Sequence, residues 1–490
     1  MSKKIFFIVG CGRSGTTSMC RILDSAANST CLVEPSPNLN RESRDMMEGR
    51  LNQPFHVVAE TIFPRIVAAL DDNIRYGEKS ITFGPFISQI STLTNCNFVF
   101  MKRDGRDVVR SFIDWHNRMF GTIYRECKEI GQLSDRAKKA QASLPIELDS
   151  SDYQRPRPGP EDIWYEQWED FSRLEMCAWY WSRYNELQLN ELEKLESENW
   201  IAIDYTKPRS DELFRVVQFL GLEGLTESKI QKMLDSKINS LKDRIDEGNS
   251  FPKWPDWKPE DRIAFENIAA RTMQRLSYYP CNNYIRYRPP NFGKHASAVN
   301  YKSRWLSSGG IPENFHEFSN LFGKADSLLD IGCKYVKACA EIFSDHRYVG
   351  MCMVEEEAEL YRQSSRGSIH DFIAGDIICT PIEEKFDVVF SQGTIDNSYD
   401  MDAMLRAMVS CSKGWIYLTA YRGWFPDLPE HRYTWSEDTT CFYNDISPEI
   451  VHEVLESLGC SNIEITPLDM GDREGNPIRY ETRIVARVCG

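Results

Sequence analysis

The chain has no Cys-x-x-Cys pair, no histidine spacing suited to a metal, no apolar run long enough to cross a membrane and no excess of basic charge. Each absence excludes a class of protein. The 15 cysteines are scattered, many in apolar runs (Cys11, Cys20, Cys96, Cys352). That pattern reads as buried, reduced thiols of a cytoplasmic protein, not as a disulfide framework. The 8 histidines form no ligand pattern, so no metal is expected. The apolar run Ile5 to Val9 is too short for a span and leads straight into a glycine-rich turn. It reads as a strand and not a signal peptide, and no membrane partner is expected. A net charge of −15 argues against nucleic acid or an anionic membrane as a general partner, while leaving room for a local basic pocket.

What is present starts with length. At 490 residues, with 41% hydrophobic and 12% aromatic content, two or three packed domains are expected. The stretch that organises the first of them is Lys4 to Arg21, KIFFIVGCGRSGTTSMCR. A continuous apolar run is followed by Gly10 to Thr17 and then by a helical pattern carrying Met19, Ile22 and Leu23. Strand, glycine loop and helix form a phosphate cradle, because glycines let N–H groups turn inward at a helix start. The loop matches G-x-x-x-x-G-x-[ST] with Thr16 where a nucleotide triphosphatase keeps lysine, and the cation has moved to Arg13.

The Arg13-Ser14-Gly15-Thr16-Thr17 string resembles the 5′-phosphosulfate loop of sulfotransferases that use 3′-phosphoadenosine 5′-phosphosulfate (PAPS). A second segment extends the resemblance. Asn97 to Lys102 is a buried strand ending at Arg103, and Ser111 follows on the next helix. This looks like the family's 3′-phosphate segment, with Arg103 and Ser111 as phosphate ligands. Alternatively, Asp104, Arg106, Asp107 and Arg110 are ordinary surface ion pairs. Tyr76 to Ser80 resembles the family's E-K-[ST]-P segment, with Ile81 in place of proline and Lys79 a candidate to stabilise sulfuryl charge. The resemblance covers roughly residues 1–280 and implies Gly12, Arg13, Ser14, Gly15, Thr16 and Thr17 at the 5′-phosphosulfate.

Sulfuryl transfer to a hydroxyl or amine needs a base. Glu34 ends the second strand, Thr30 to Pro35, on the edge where parallel sheets bind ligands; His56 and Glu60 compete with it. Residues 117–160 read as an insertion, a lid or a surface loop, and residues 161–198 as helix with Trp164, Trp168 and Phe171 on one face. Trp200 to Tyr205 reads as the last core strand, and Glu212 to Leu220 as a helix ending at Gly221.

Pro280, Pro289, Pro290 and Gly293 mark a composition change. The expected division is 1–285, a linker at 286–302 and a second domain at 303–490. Five further strands follow with helical segments between them: Ser327 to Cys333, Tyr348 to Met353, Phe372 to Asp376, Phe386 to Gln392 and Gly414 to Ala420. This order resembles a class I S-adenosylmethionine-dependent methyltransferase. Asp330 and Gly332 match the family's glycine motif and Asp376 its adenine-edge acid. Lys334 and Val336 replace later glycines, and Cys352 stands where an acid clasps the ribose, with Glu355 too far along. These departures lead to an expectation of weak S-adenosylmethionine binding or none. The expected fold is α/β, a P-loop parallel-sheet sulfotransferase domain followed by a Rossmann-like methyltransferase domain. The expected activity is sulfuryl transfer from PAPS to a small-molecule or glycan acceptor. A bifunctional sulfotransferase/methyltransferase, a small-molecule kinase and a non-catalytic nucleotide-binding scaffold stand as alternatives.

Overall fold

The computed structural model describes residues 4–69, 74–116, 155–236, 251–280, 284–293, 313–322, 324–333, 343, 345–364, 370–471 and 478–489. The chain divides into two compact units, Met1–Cys281 and Asn282–Gly490.

In the first unit, strands β1 (Ile5–Gly10), β2 (Ser29–Val33), β3 (Arg75–Lys79), β4 (Cys96–Lys102) and β5 (Trp200–Asp204) form a parallel sheet in the order β2-β3-β1-β4-β5. Every residue of β1 is buried, as a strand covered on both faces requires. Phe6 and Ile8 pack with Met19, Ile22 and Leu23 of α1 (Thr16–Asp24). Phe7 instead meets Phe83 and Phe98, with ring centroids 5.5 and 5.8 Å away. Each such buried side chain contributes about 1.5–3 kcal/mol. Because all five strands run the same way, Gly10, Glu34, Lys79 and Arg103 all come to the carboxyl edge of the sheet.

Helices α2 (Asn40–Met47), α3 (Pro54–Ala69), α4 (Ile87–Leu93) and α5 (Gly105–His116) come next. The helix expected across 161–198 begins later, as α6 (Arg173–Leu192). Ser172 caps it and Glu175 closes the capping box, which sets the start. Ahead of it Asp162 accepts from Trp164 N, Trp179 Nε1 and Arg183, and holds residues 160–170 in turns. Trp164, Trp168 and Phe171 form an aromatic cluster there. Helix α7 (Ser210–Leu220) ends at Gly221 in the left-handed conformation, as read from the sequence, and α8 (Glu227–Asp235) and α9 (Pro259–Arg275) complete the unit. Most of the insertion, residues 117–154, lies outside the described residues.

The second unit carries α10 (Glu313–Phe322), β6 (Ser327–Ile331), β7 (Arg347–Cys352), α11 (Glu355–Ser364), β8 (His370–Ala374), β9 (Phe386–Gln392), α12 (Met401–Cys411) and β10 (Ser412–Ala420). The pair β11 (Trp435–Ser436) and β12 (Cys441–Phe442), α13 (Pro448–Ser457), β13 (Cys460–Asp469) and β14 (Tyr480–Val488) follow. The sheet order is β13-β14-β10-β9-β6-β7-β8. The five strands read from the sequence are β6 to β10, all parallel; the antiparallel β13 and β14 extend the sheet at one side. The order reverses between β6 and β9, which opens a crevice at their carboxyl ends. Residues 284–293, partly expected as linker, pack in this unit: Arg286 N donates to Asp400 and Phe292 stacks edge-on against Tyr399 at 5.1 Å. Among the described residues no helix is long and apolar enough to cross a membrane.

Candidate functional site

In the first unit the glycine loop is shaped by positions that exclude a side chain. Gly10 has φ 149°, and a Cβ there would lie 2.5 Å from Met101 O. Gly15 has φ 83°, and a Cβ would meet the Tyr205 ring at 2.2 Å. Arg13 adopts φ 68°, a strained state for a non-glycine residue. Gly15 caps α1 without a side-chain hydrogen bond. The Ser14 hydroxyl is buried and has no hydrogen-bond partner among the described residues. A buried donor without a partner at a bare helix start suits an anionic oxygen. Thr16 is buried and Thr17 half-buried on the first turn, while Gly12 backs onto Phe112.

Arg13 turns toward α5, where its Nε donates to Ser111 Oγ at 2.9 Å. Arg103 donates to the Arg13 carbonyl at 3.0 Å, lies 3.8 Å from Asp107, and has a buried Nε with no partner among the described residues. Trp181 Nε1 holds the Arg103 carbonyl at 3.2 Å. The glycine loop and the Arg103/Ser111 segment, separate in sequence, are therefore one cationic surface. Asp104 engages Arg106 and not Arg103.

Glu34 has φ 48° and its N–H donates to Lys79 O at 2.7 Å. The Lys79 ammonium, almost fully buried, contacts Glu34 Oε1 at 2.5 Å. The register that sets Val33 beside Lys79 delivers this pair. The Glu34 side chain is 44% exposed, open to an incoming molecule. His56 and Glu60 face each other at 3.0 Å on the exposed side of α3, and His56 makes no hydrogen bond to Glu34 or Lys79 among the described residues. Sequence reasoning missed the support behind Lys79: Glu78, fully buried, takes two 2.7 Å bonds from Arg65 and one from Tyr76. Burial also pushes the Cys11 thiol well up, so it stays protonated inside the loop.

In the second unit a cavity opens at the carboxyl ends of β6 to β9. Gly332 and Cys333, Cys352 and Met353, Gly375 and Asp376, and Thr394 and Asn397 line it. Gly332 has φ 74°, and a Cβ would lie 2.2 Å from Thr394 Oγ1. Asp330 sits beneath, buried, with Tyr348 donating at 2.7 Å. Asp376 accepts from Ile378 N and from Arg288 Nε, both at 3.0 Å. Glu355 points outward to Arg362 at 2.7 Å, whereas Glu357 lines the cavity. Lys334 and Val336 lie outside the described residues.

Residues 329–416 match the family model of a methyltransferase domain. The matched stretch runs from β6 into β10 and contains the glycine turn and Asp376. Among solved structures, the chain's likenesses include 1,6-didemethyltoxoflavin-N1-methyltransferase from Burkholderia thailandensis, with 16% identity, 38% of this chain and 81% of that chain covered and a TM-score of 0.31. The N-methyltransferase NodS from Bradyrhizobium japonicum has 15% identity, with 40% and 96% covered and a TM-score of 0.28. No curated protein matches the chain in sequence. Residues 329–416 of the second unit thus match a methyltransferase domain, on a Rossmann-like parallel sheet with a cavity lined in part by Cys352.

Proposed function

We propose that the chain is a two-centre transferase, with S-adenosylmethionine-dependent methyl transfer in the methyltransferase domain and PAPS-dependent sulfuryl transfer in the first unit. The observation that carries the first half is the crevice at the strand-order reversal, with a left-handed Gly332 at its floor and Asp376 at its edge. The residues suit an adenosyl cofactor: left-handed Gly332, packed against Thr394, turns the backbone at the cavity floor, and Asp376 offers a carboxylate to an amino group. When bound, that cofactor supplies an activated methyl group. Under this reading affinity is usable, unlike the expectation drawn from Cys352, Lys334 and Val336.

A specific observation favours the second half: the buried Ser14 hydroxyl lacks a partner among the described residues, beside the joined Arg13, Ser111 and Arg103 cluster. In this reading the loop N–H groups, Arg13, Ser14, Thr16 and Thr17 hold a 5′-phosphosulfate, and Arg103 with Ser111 holds a 3′-phosphate. The donor, when bound, supplies a sulfuryl group on a good leaving group. Glu34 takes the proton of an acceptor hydroxyl or amine, and Lys79 orients Glu34 and offers its charge to an oxygen. The acceptor is a small molecule or glycan.

Calorimetry on the full chain tests both halves. 3′-Phosphoadenosine 5′-phosphate and S-adenosylhomocysteine should each bind, at one site per chain, without competing. Loss of either heat removes that half. Binding of ATP in place of the bisphosphate turns the first unit into a kinase.

A further inference from the structure

Among the described residues two acids line the crevice of the methyltransferase domain, Glu357 and Asp376. Asp376 is engaged by Arg288 at 3.0 Å on the β8 side. On the β7 side, the strand-end position that would present a carboxylate holds Cys352, whose thiol is spent on backbone carbonyls, Val354 O at 3.6 Å and Ile373 O at 3.9 Å. A thiol so placed is a poor acceptor for hydroxyl groups. Glu355 is the next acid in sequence, and it is turned to solvent with its side chain 66% exposed against Arg362. Glu357 stands two residues further into the first turn of α11 and lines the cavity.

We infer that Glu357, delivered from α11 and not from the end of β7, is the acid that binds the ribose hydroxyls of an adenosyl cofactor in this chain. The inference rests on the methyltransferase reading above. The geometry supports it in two ways. Tyr361, one turn on and buried, donates its hydroxyl to Glu357 Oε1 at 2.9 Å, which fixes the carboxylate's orientation in advance. Burial and the Glu357 charge both push the Tyr361 hydroxyl's pKa up, so it remains a donor. Glu357 also lines the same cavity as Gly332, Cys333 and Cys352, which sets the carboxylate at the corner of the glycine turn and the end of β7. A vicinal diol there has one ionised acceptor to meet, and charge-assisted hydrogen bonds are the strong ones.

The test compares S-adenosylhomocysteine with its 2′-deoxy analogue on the full chain. Wild type should prefer the natural ligand, and Glu357→Ala should weaken that ligand by ~10- to 150-fold while changing the analogue only a few-fold. Cys352→Asp on the Glu357→Ala background should restore binding of the natural ligand by returning a carboxylate to the strand end. If wild type binds and Glu357→Ala leaves affinity unchanged, or lowers both ligands equally, the inference is wrong and the methyltransferase reading stands. If wild type binds neither ligand, both are overturned.

Discussion

Replacing Arg103 with alanine separates a nucleotide-reading role from a structural one. Arg103 makes two kinds of contact. Its guanidinium donates to the Arg13 carbonyl at 3.0 Å, which steadies the loop for any nucleotide. Its Nε is buried with no partner among the described residues, and under the proposed function that donor meets the 3′-phosphate. The first contact is a hydrogen bond from the guanidinium to a neutral carbonyl within the protein, and its loss should lower the affinity for both nucleotides by the same factor. The second is charge-assisted, about 1.5–3 kcal/mol, and adds ~10- to 150-fold for 3′-phosphoadenosine 5′-phosphate alone. The 3.8 Å approach to Asp107 is half-exposed and contributes little. Calorimetric titration of both nucleotides into wild type and Arg103→Ala reads the difference. An equal fall for both refutes the assignment and leaves Arg103 as a prop for Arg13.

Glu34→Gln keeps shape and removes basicity, so sulfuryl turnover should fall ~10²- to 10⁴-fold with bisphosphate affinity within a few-fold. His56→Ala, on the exposed side of α3, should leave turnover unchanged; the reverse pattern moves the base to His56. Glu78→Gln breaks a buried pair and leaves Arg65 without its counter-charge, which should cost ~3–5 kcal/mol in urea unfolding of the first unit. A loss under 1 kcal/mol would show that the Arg65 charge is solvated where it stands. Gly332→Ala forces an L side chain into φ 74° against Thr394, and should lower S-adenosylhomocysteine affinity by at least ~10-fold while the far-ultraviolet circular dichroism is retained. Unchanged affinity would place the ligand elsewhere.

The local physics of these segments was legible without a structure. Ile5 to Val9 can only be buried on both faces, Gly10 and Gly15 can adopt conformations closed to other residues, and Gly221 ends a helix for the same reason. The five parallel strands of the second unit were readable because each is a short apolar run between breakers. β13 and β14 were not, because β13 is a half-exposed strand containing Pro467 and has no such run. The start of α6 was misread because aromatics at helical spacing also suit a cluster of turns, and Asp162 with the Ser172 cap decided between them.

The site residues divide along the same line. The resemblance of short motifs to two families singled out Arg13, Ser14, Glu34, Lys79, Arg103, Ser111, Gly332 and Asp376 as candidate positions, because a motif is a local property of the string. Their relations depended on the tertiary structure. The Lys79–Glu34 contact follows from the register between β2 and β3, and the turn of Arg13 onto Ser111 follows from the packing of α5 against the loop. Which acid after β7 enters the crevice was likewise undecided in the string, where Glu355, Glu356 and Glu357 are equivalent. The helical phase of α11 turns Glu355 to Arg362 in solvent and Glu357 to the cavity, and a phase exists only once the helix is docked on its sheet.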